Sequence, residues 1–219
     1  MRTHAPQPLG PKVGKLGLGM LGGFTPQPDD NMPEWAACIV LLGPNGAAWD
    51  QISAAPEFHD GAPDPLDRWS ERVLRALADT LSAQAFFPFG GPPWQPFQTW
   101  AQRTGRAVAS PIGFLCHADQ GLMVSFRGAL ALPFVPTDLP APAADPCTAC
   151  ASQPCRSACP TAALTEAGYD VAKCHSWLAS GNTPACKTQG CAVRLACPVS
   201  AGAQRSKTQS AFHMKAFHK

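Results

Sequence analysis

The chain has 219 residues, 45% of them apolar, with a formal net charge of +2. That length suits one medium domain or two small ones, and the apolar content allows a real core. No run of about eighteen apolar residues occurs, which excludes a simple transmembrane helix; the 24 prolines and 19 glycines predict many turns and modest regular structure.

In chain order, residues 1 to 32 read as a loose, flexible Gly/Pro-rich arm. It contains "GLGMLG" (Gly17, Gly19, Gly22), a formal G-x-G-x-x-G. The dinucleotide reading needs a preceding strand and an acidic residue about twenty positions on. Neither is there, so a nucleotide site is not expected. The same segment lacks an A-x-A cleavage pattern, and its glycines weaken a signal-peptide helix. A cytoplasmic protein is the expectation, and in that compartment clustered cysteines suggest metal rather than disulfides.

"AACIVLLGP" (36 to 44) is a short apolar run closed by Gly-Pro and reads as a buried strand. "EFHDG" (57 to 61) groups two carboxylates and an imidazole. It reads as a polar turn, with a metal or proton-transfer role as the alternative. "DPLDRWSERVLRALADTLS" is the clearest helix. Asp64 can cap it, Pro65 suits its first position, and Leu66, Trp69, Val73, Leu77 and Leu81 form its apolar stripe.

"AQAFFPF" (83 to 89) predicts a strand, and "PFQTWAQRTG" a short helix ended by Gly105. "IGFLCH" and "GLMVSFRGALAL" predict a hairpin around "ADQG". Residues 33 to 132 therefore form an α/β domain. "PFVPTDLPAPAADP" (133 to 146) reads as an extended linker. A cysteine-rich module follows over 147 to 200, then a polar basic tail, 201 to 219.

The module carries C147-x2-C150-x4-C155-x3-C159-P, then Cys174, then C186-x4-C191-x5-C197-P. Bacterial two-cluster ferredoxins use C-x2-C-x2-C-x3-C-P, in which the fourth cysteine ligates the other cluster. Eight cysteines are the number that two [4Fe–4S] clusters with four thiolates each require. The x4 step from Cys150 to Cys155 departs from that run and requires a local bulge. Two four-thiolate zinc sites would use as many cysteines, although only one C-x2-C is present. Disulfides are the remaining alternative. Cys38 and Cys116 fall in predicted strands and read as ordinary buried thiols.

Charge is unevenly distributed. No Asp or Glu follows Asp170, whereas seven Lys or Arg residues do, leaving −5 on the rest of the chain. A basic tail can bind nucleic acid. An oxidised cubane with its four thiolates carries about −2, so the clusters supply a local reason for that charge, and nucleic acid is not the expected partner.

The module, with "YDVAKCHSWLAS" between its halves, resembles the ferredoxin module of epoxyqueuosine reductases. By order, the resemblance implies Cys147, Cys150, Cys155 and Cys197 at one cluster. Cys159, Cys174, Cys186 and Cys191 would hold the other. Upstream, "WAQRTGRAVASPIGFLCHADQGLMVSFRGALAL" is similar to the cobalamin domain of that family and of the related cobalamin-processing chaperones. This likeness implies a flavin-reductase-like α/β fold. It also implies a cobalamin against those strands, with Arg127 as a polar contact and His117 as a candidate axial ligand. The whole also looks like short bacterial proteins of the "ferredoxin" kind. Three departures count against the tRNA chemistry of the reductases. "GGPPWQPFQTW" holds no carboxylate where the family has its catalytic Asp. The family's helical repeats have no counterpart before Lys219. Arg194 stands where its closing run has a cysteine.

The expectation is thus an α/β (flavin-reductase-like) N-terminal domain with a small C-terminal dicluster ferredoxin-like module. Its role would be electron transfer without a membrane, to a redox partner that the sequence does not identify, with the clusters feeding a corrinoid-type site. The rivals are a plain ferredoxin-type carrier with a docking domain, an epoxyqueuosine reductase-like enzyme, and a zinc-stabilised interaction module.

Overall fold

The computed structural model describes residues 5–165, 167–181 and 184–218. In chain order these form α1 (Gly10–Gly14), β1 (Leu18–Phe24), β2 (Cys38–Pro44), α2 (Trp49–Ser53), α3 (Pro65–Leu81), β3 (Gln84–Phe86), α4 (Phe97–Arg103), β4 (Ala107–Ala109), β5 (Leu115–His117) and β6 (Gly128–Leu132). Then come β7 (Leu164–Thr165), β8 (Gly168–Tyr169), α5 (Val171–Ala179), α6 (Pro184–Gln189), α7 (Ala192–Ala196) and α8 (Lys207–Phe217). The fold is mixed α and β with antiparallel sheets. No helix among the described residues is long and apolar enough to cross a membrane. The chain divides into two compact units, one of residues 1–106 and 125–143, the other of 107–124 and 144–219.

The first unit is built on a four-stranded sheet in the order β1-β2-β6-β3. Every residue of β2 and β6 is buried, which is why 36 to 44 reads as an unbroken apolar run rather than an alternating one. Helix α3 packs on β3 and β6. Its stripe from Leu66 to Leu81 is buried, as is Leu74 between the stripe positions. Pro65 starts the helix. Asp64 stands at the N-cap with left-handed backbone and makes no side-chain capping bond, contrary to the sequence expectation. Ser82 ends it, also left-handed, with its N–H returned to Ala78 and Asp79.

The N-terminal segment differs from the flexible arm that its composition suggests; residues 1–4 of that arm lie outside the described residues. Leu9, Val13, Leu18 and Leu21 are buried, and β1 pairs along β2. Between Met20 and Gly23 the register shifts, one extra residue on β1 making a bulge. Gly22 sits there with φ +121°, and a Cβ on it would stand 2.7 Å from the Thr104 side chain. The carboxylate of Asp138 accepts from the N–H groups of Leu9 and Gly10, both at 2.8 Å. Asp138 lies in the segment expected to be a linker. Residues 133–143 instead belong to the first unit, with Phe134 buried.

"EFHDG" is a structural turn. Glu57 pairs with Arg72 and Asp60 with Arg68, both arginines on α3. The guanidinium groups hold both carboxyls below the usual range.

The second unit corrects the expected hairpin. β5 pairs with β4, not with the stretch after "ADQG", where only an isolated bridge joins His117 and Gly121. The chain turns at Gln120–Met123 and does not extend again until β6. Residues 107–124 therefore join the cysteine-bearing unit. The basic tail is also ordered differently from its polar composition: α8 packs on α6, capped by Ser206, whose hydroxyl accepts from the Gln209 N–H at 3.1 Å.

Candidate metal centres

The core of the second unit is made partly of thiols. Ile112, Cys116, Leu122, Cys155, Leu164 and Val193 form its buried centre, with Cys147, Cys159, Cys191 and Cys197 packed against it. All of these cysteines are free thiols, and no described disulfide joins them.

Local backbone features aim each thiol. Asp145 accepts from the N–H groups of Cys147 at 2.7 Å and Thr148 at 3.3 Å, fixing the turn that presents Cys147. Cys150 follows one turn on, its N–H bonded to the Cys147 carbonyl. The x4 step after Cys150 is absorbed by Gln153 in a left-handed conformation (φ 37°), which swings the chain into the 3₁₀ turn carrying Cys155. Cys174 lies in α5 and Cys186 in α6, while Cys191 and Cys197 flank the five-residue α7.

Electrostatic coupling and hydrogen bonding sort the thiols into two groups. Cys147 is coupled to Cys116, Cys197 and Cys155, and Cys155 to Cys197 and Cys150. Separately, Cys174 is coupled to Cys191 and Cys159, and Cys186 to Cys191, Cys174 and Cys159. Two short segments serve both groups. The stretch 155–159 has one thiol in each, and α7 has Cys191 on one side and Cys197 on the other.

The first group lines a cavity of 480 Å³, within the ~300–1,000 Å³ of small-ligand sites. Cys147, Cys150, Cys155 and Cys197 all border it, among prolines, alanines, Leu122 and Val199. So does Ser110, which is 6% exposed and whose Oγ has no hydrogen-bond partner among the described residues. An orphaned hydroxyl in an apolar cavity bordered by four thiols fits a group that presents soft acceptor atoms.

Burial pushes the thiols of Cys147, Cys155, Cys174 and Cys186 above the ordinary range. A metal bound there must displace their protons. Cys197 differs. Burial alone would raise it, but hydrogen bonds from the backbones of Leu122, Val199 and Ser200 and from the Ser200 hydroxyl bring it below the ordinary value. Gly121 makes this possible. It has φ +53°, and a Cβ there would meet the Cys197 sulfur at 2.9 Å and the Ser200 nitrogen at 2.6 Å. At the second group the Ala163 N–H donates to the Cys159 sulfur at 3.2 Å.

Around the second group stands an aromatic and cationic shell. Tyr169 hydrogen-bonds Cys174, and burial first, then that sulfur, raises its phenol. Tyr169 stacks on Phe217 and meets Phe114 edge-on. The Arg194 guanidinium lies 4.7 Å over the Phe114 ring and donates to the Leu122 carbonyl. Burial lowers its pKa, and the neighbouring Cys191 acts the other way. The sequence shows Arg194 only as a missing cysteine; its place beside a thiol group is a tertiary fact. Cys116, Ser110 and Ser200 carry no sequence signal of their own either, whereas Tyr169 opens the "YDVAKC" stretch quoted above.

Among the described residues, no group of three or more His, Cys, Asp or Glu side chains is arranged to hold a single metal ion. His117 is buried, and its Nδ1 accepts from the N–H groups of Asp119 (3.1 Å) and Gln120 (3.3 Å) inside its own turn. Arg127, in the first unit, is buried, paired with Asp67 and stacked over Phe89 at 5.3 Å. Cys38 lies at the start of β2 in the first unit, its thiol pushed up to about 11 by burial.

A scan against protein-family models finds no match for the chain. A search among curated proteins finds none either.

Proposed function

We propose that this protein transfers single electrons through two [4Fe–4S] clusters, one on Cys147, Cys150, Cys155 and Cys197, the other on Cys159, Cys174, Cys186 and Cys191. The observation that supports this best is the sorting of these thiols into two groups drawn alternately from the same segments. Paired zinc knuckles would bring C-x2-C pairs, of which the chain has one. When bound, a cubane supplies a one-electron couple whose potential depends on hydrogen bonds to sulfur, net charge and solvent exposure.

The chain's own residues would set those terms. Hydrogen bonds to Cys197 and Cys159 stabilise the thiolate form. Tyr169 lends a hydroxyl to Cys174. Arg194 offers a half-buried positive charge beside the second site, where a cluster and its thiolates would compensate the cost of desolvating it. Kinship with the cluster module of epoxyqueuosine reductases and a flavin-reductase-like character for the first unit belong to the same reading and rest on the sequence motifs. Cobalamin against residues 112–127 and a corrinoid-type reductive site fed by the clusters remain the extension of this reading that the sequence motifs raise; Arg127 pairs with Asp67 while its Nε stays unpartnered among the described residues.

The test is anaerobic purification with iron, acid-labile sulfide, zinc and corrinoid analysis. About eight iron and eight sulfide per chain are expected from two cubanes. Stoichiometric zinc without sulfide overturns the proposal.

A second expectation concerns Ser110. Its hydroxyl is the donor at the first site with nothing else to bond, so Ser110→Ala should lower the potential of that cluster. A hydrogen bond with a net worth of ~1 kcal/mol corresponds to about 40 mV for one electron. An EPR-monitored redox titration reads the shift; the second cluster should not move.

A further inference from the structure

Cys116 is read from the sequence as an ordinary strand thiol. It is in a strand and 1% exposed, yet it borders the same cavity as Cys147, Cys150, Cys155 and Cys197. Cys147 and Cys197 pack against the buried cluster to which it belongs. β5 holds it there through pairing with β4, where Cys116 faces Val108. The first site therefore contains five thiols against four at the second.

We propose that Cys116 is a reserve ligand of the first cluster, close enough to take over the iron of Cys147 or Cys197 without rebuilding the site. This rests on the two-cluster reading above. The exchange needs no oxidant or reductant. As the Cys116 sulfur bonds to iron, its thiol proton passes to the departing thiolate, and one Fe–S bond replaces another. Where the usual ligand is absent, the proton goes to solvent. Such a spare would keep a cluster in place when one thiolate is lost to oxidation or alkylation, and only the first site has it.

The spare is also well placed physically. Cys147 borders a cavity rather than solid packing, so a cluster held there has room to shift toward β5. Leu122 and Ile112, buried with Cys116, shield the thiol from solvent. Cys38 illustrates an ordinary core thiol by contrast: it is buried at the start of β2, where its thiol donates to the Ile39 carbonyl at 3.7 Å, and borders no thiol-lined cavity among those described.

The experiment measures iron, sulfide and the EPR spectrum of reduced full-length protein in a set of variants. Cys147→Ala and Cys197→Ala should each keep about eight iron, with an altered first-cluster signal, and Cys116→Ala alone should also keep about eight. The double variants Cys147→Ala/Cys116→Ala and Cys197→Ala/Cys116→Ala should fall to about four. Two single variants at separate positions guard against a local folding defect, which hydrogen exchange of β4 and β5 detects directly. If both single variants drop to about four iron whether or not Cys116 is present, the reserve role is wrong while the two-cluster reading stands. If Cys116→Ala alone loses a cluster, Cys116 is a primary ligand and the reserve role is again wrong. Wild-type protein without iron and sulfide removes both.

Discussion

On the two-cluster proposal, Cys159→Ala and Cys186→Ala should each halve the iron content, from about eight to about four per chain, and leave the EPR signal of the first cluster intact. The reason is that the second group has four thiols and no fifth among the described side chains coupled to it. Removing Cys159 also orphans the Ala163 N–H that donates to its sulfur, which adds the ~1–3 kcal/mol cost of a buried unsatisfied donor. Cys38→Ala is the control. That thiol starts β2 in the first unit, so its loss should change neither iron nor sulfide. Eight irons retained in Cys186→Ala would mean that the second site is not where these sulfurs meet.

Stripping the clusters with a chelator under oxidising conditions should unfold the second unit and spare the first. The helices around the thiols are short: α6 has six residues and α7 five. Isolated helices below ~12–15 residues are marginal in water, so these depend on tertiary anchors. With thiols at the centre of the core, the proposed clusters would supply those anchors through their metal bonds. In small metal-dependent domains ligand binding is itself folding free energy, ~10–16 kcal/mol for zinc-finger peptides. Losing a fraction of that exceeds the margin of a unit this small. The first unit keeps β2 and β6, fully buried, and the seventeen-residue α3. Hydrogen exchange before and after stripping reads this directly. Amides of α5, α6 and α7 should lose protection by a factor of about 10³ or more, equivalent to ~4 kcal/mol. Those of β2 and β6 should be unchanged. Equal loss in both units would show that they fold as one.

Strand β2 and helix α3 are legible in the chain because their signals are local. A seven-residue apolar run closed by Gly-Pro specifies a buried strand, and the 3.6-residue stripe after Pro65 specifies a helix. Segment 10–24 is misread because its evidence lies elsewhere. Glycines that suggest looseness are there for the bulge and close packing of β1, and the N-terminal N–H groups are held by Asp138, far along the chain. The "ADQG" hairpin fails for a related reason. Apolar content on both sides of a turn predicts two strands, but β4 competes for β5 and wins.

The sequence by itself determined the candidate donors: eight thiols at ferredoxin-like spacings, two closing prolines and a tail with no acidic residue to offset its charge. Those are properties of composition and order, which folding cannot alter. Only the tertiary structure decided which sulfurs share a site, that Cys116 stands among them, and that Ser110 and Arg194 face thiols rather than solvent or carboxylates. Spacing limits how far a thiol can reach along its own segment. Which distant sulfur it meets depends on how β5, α5 and α7 pack, and that packing is set by contacts between residues that have no relation in the linear order.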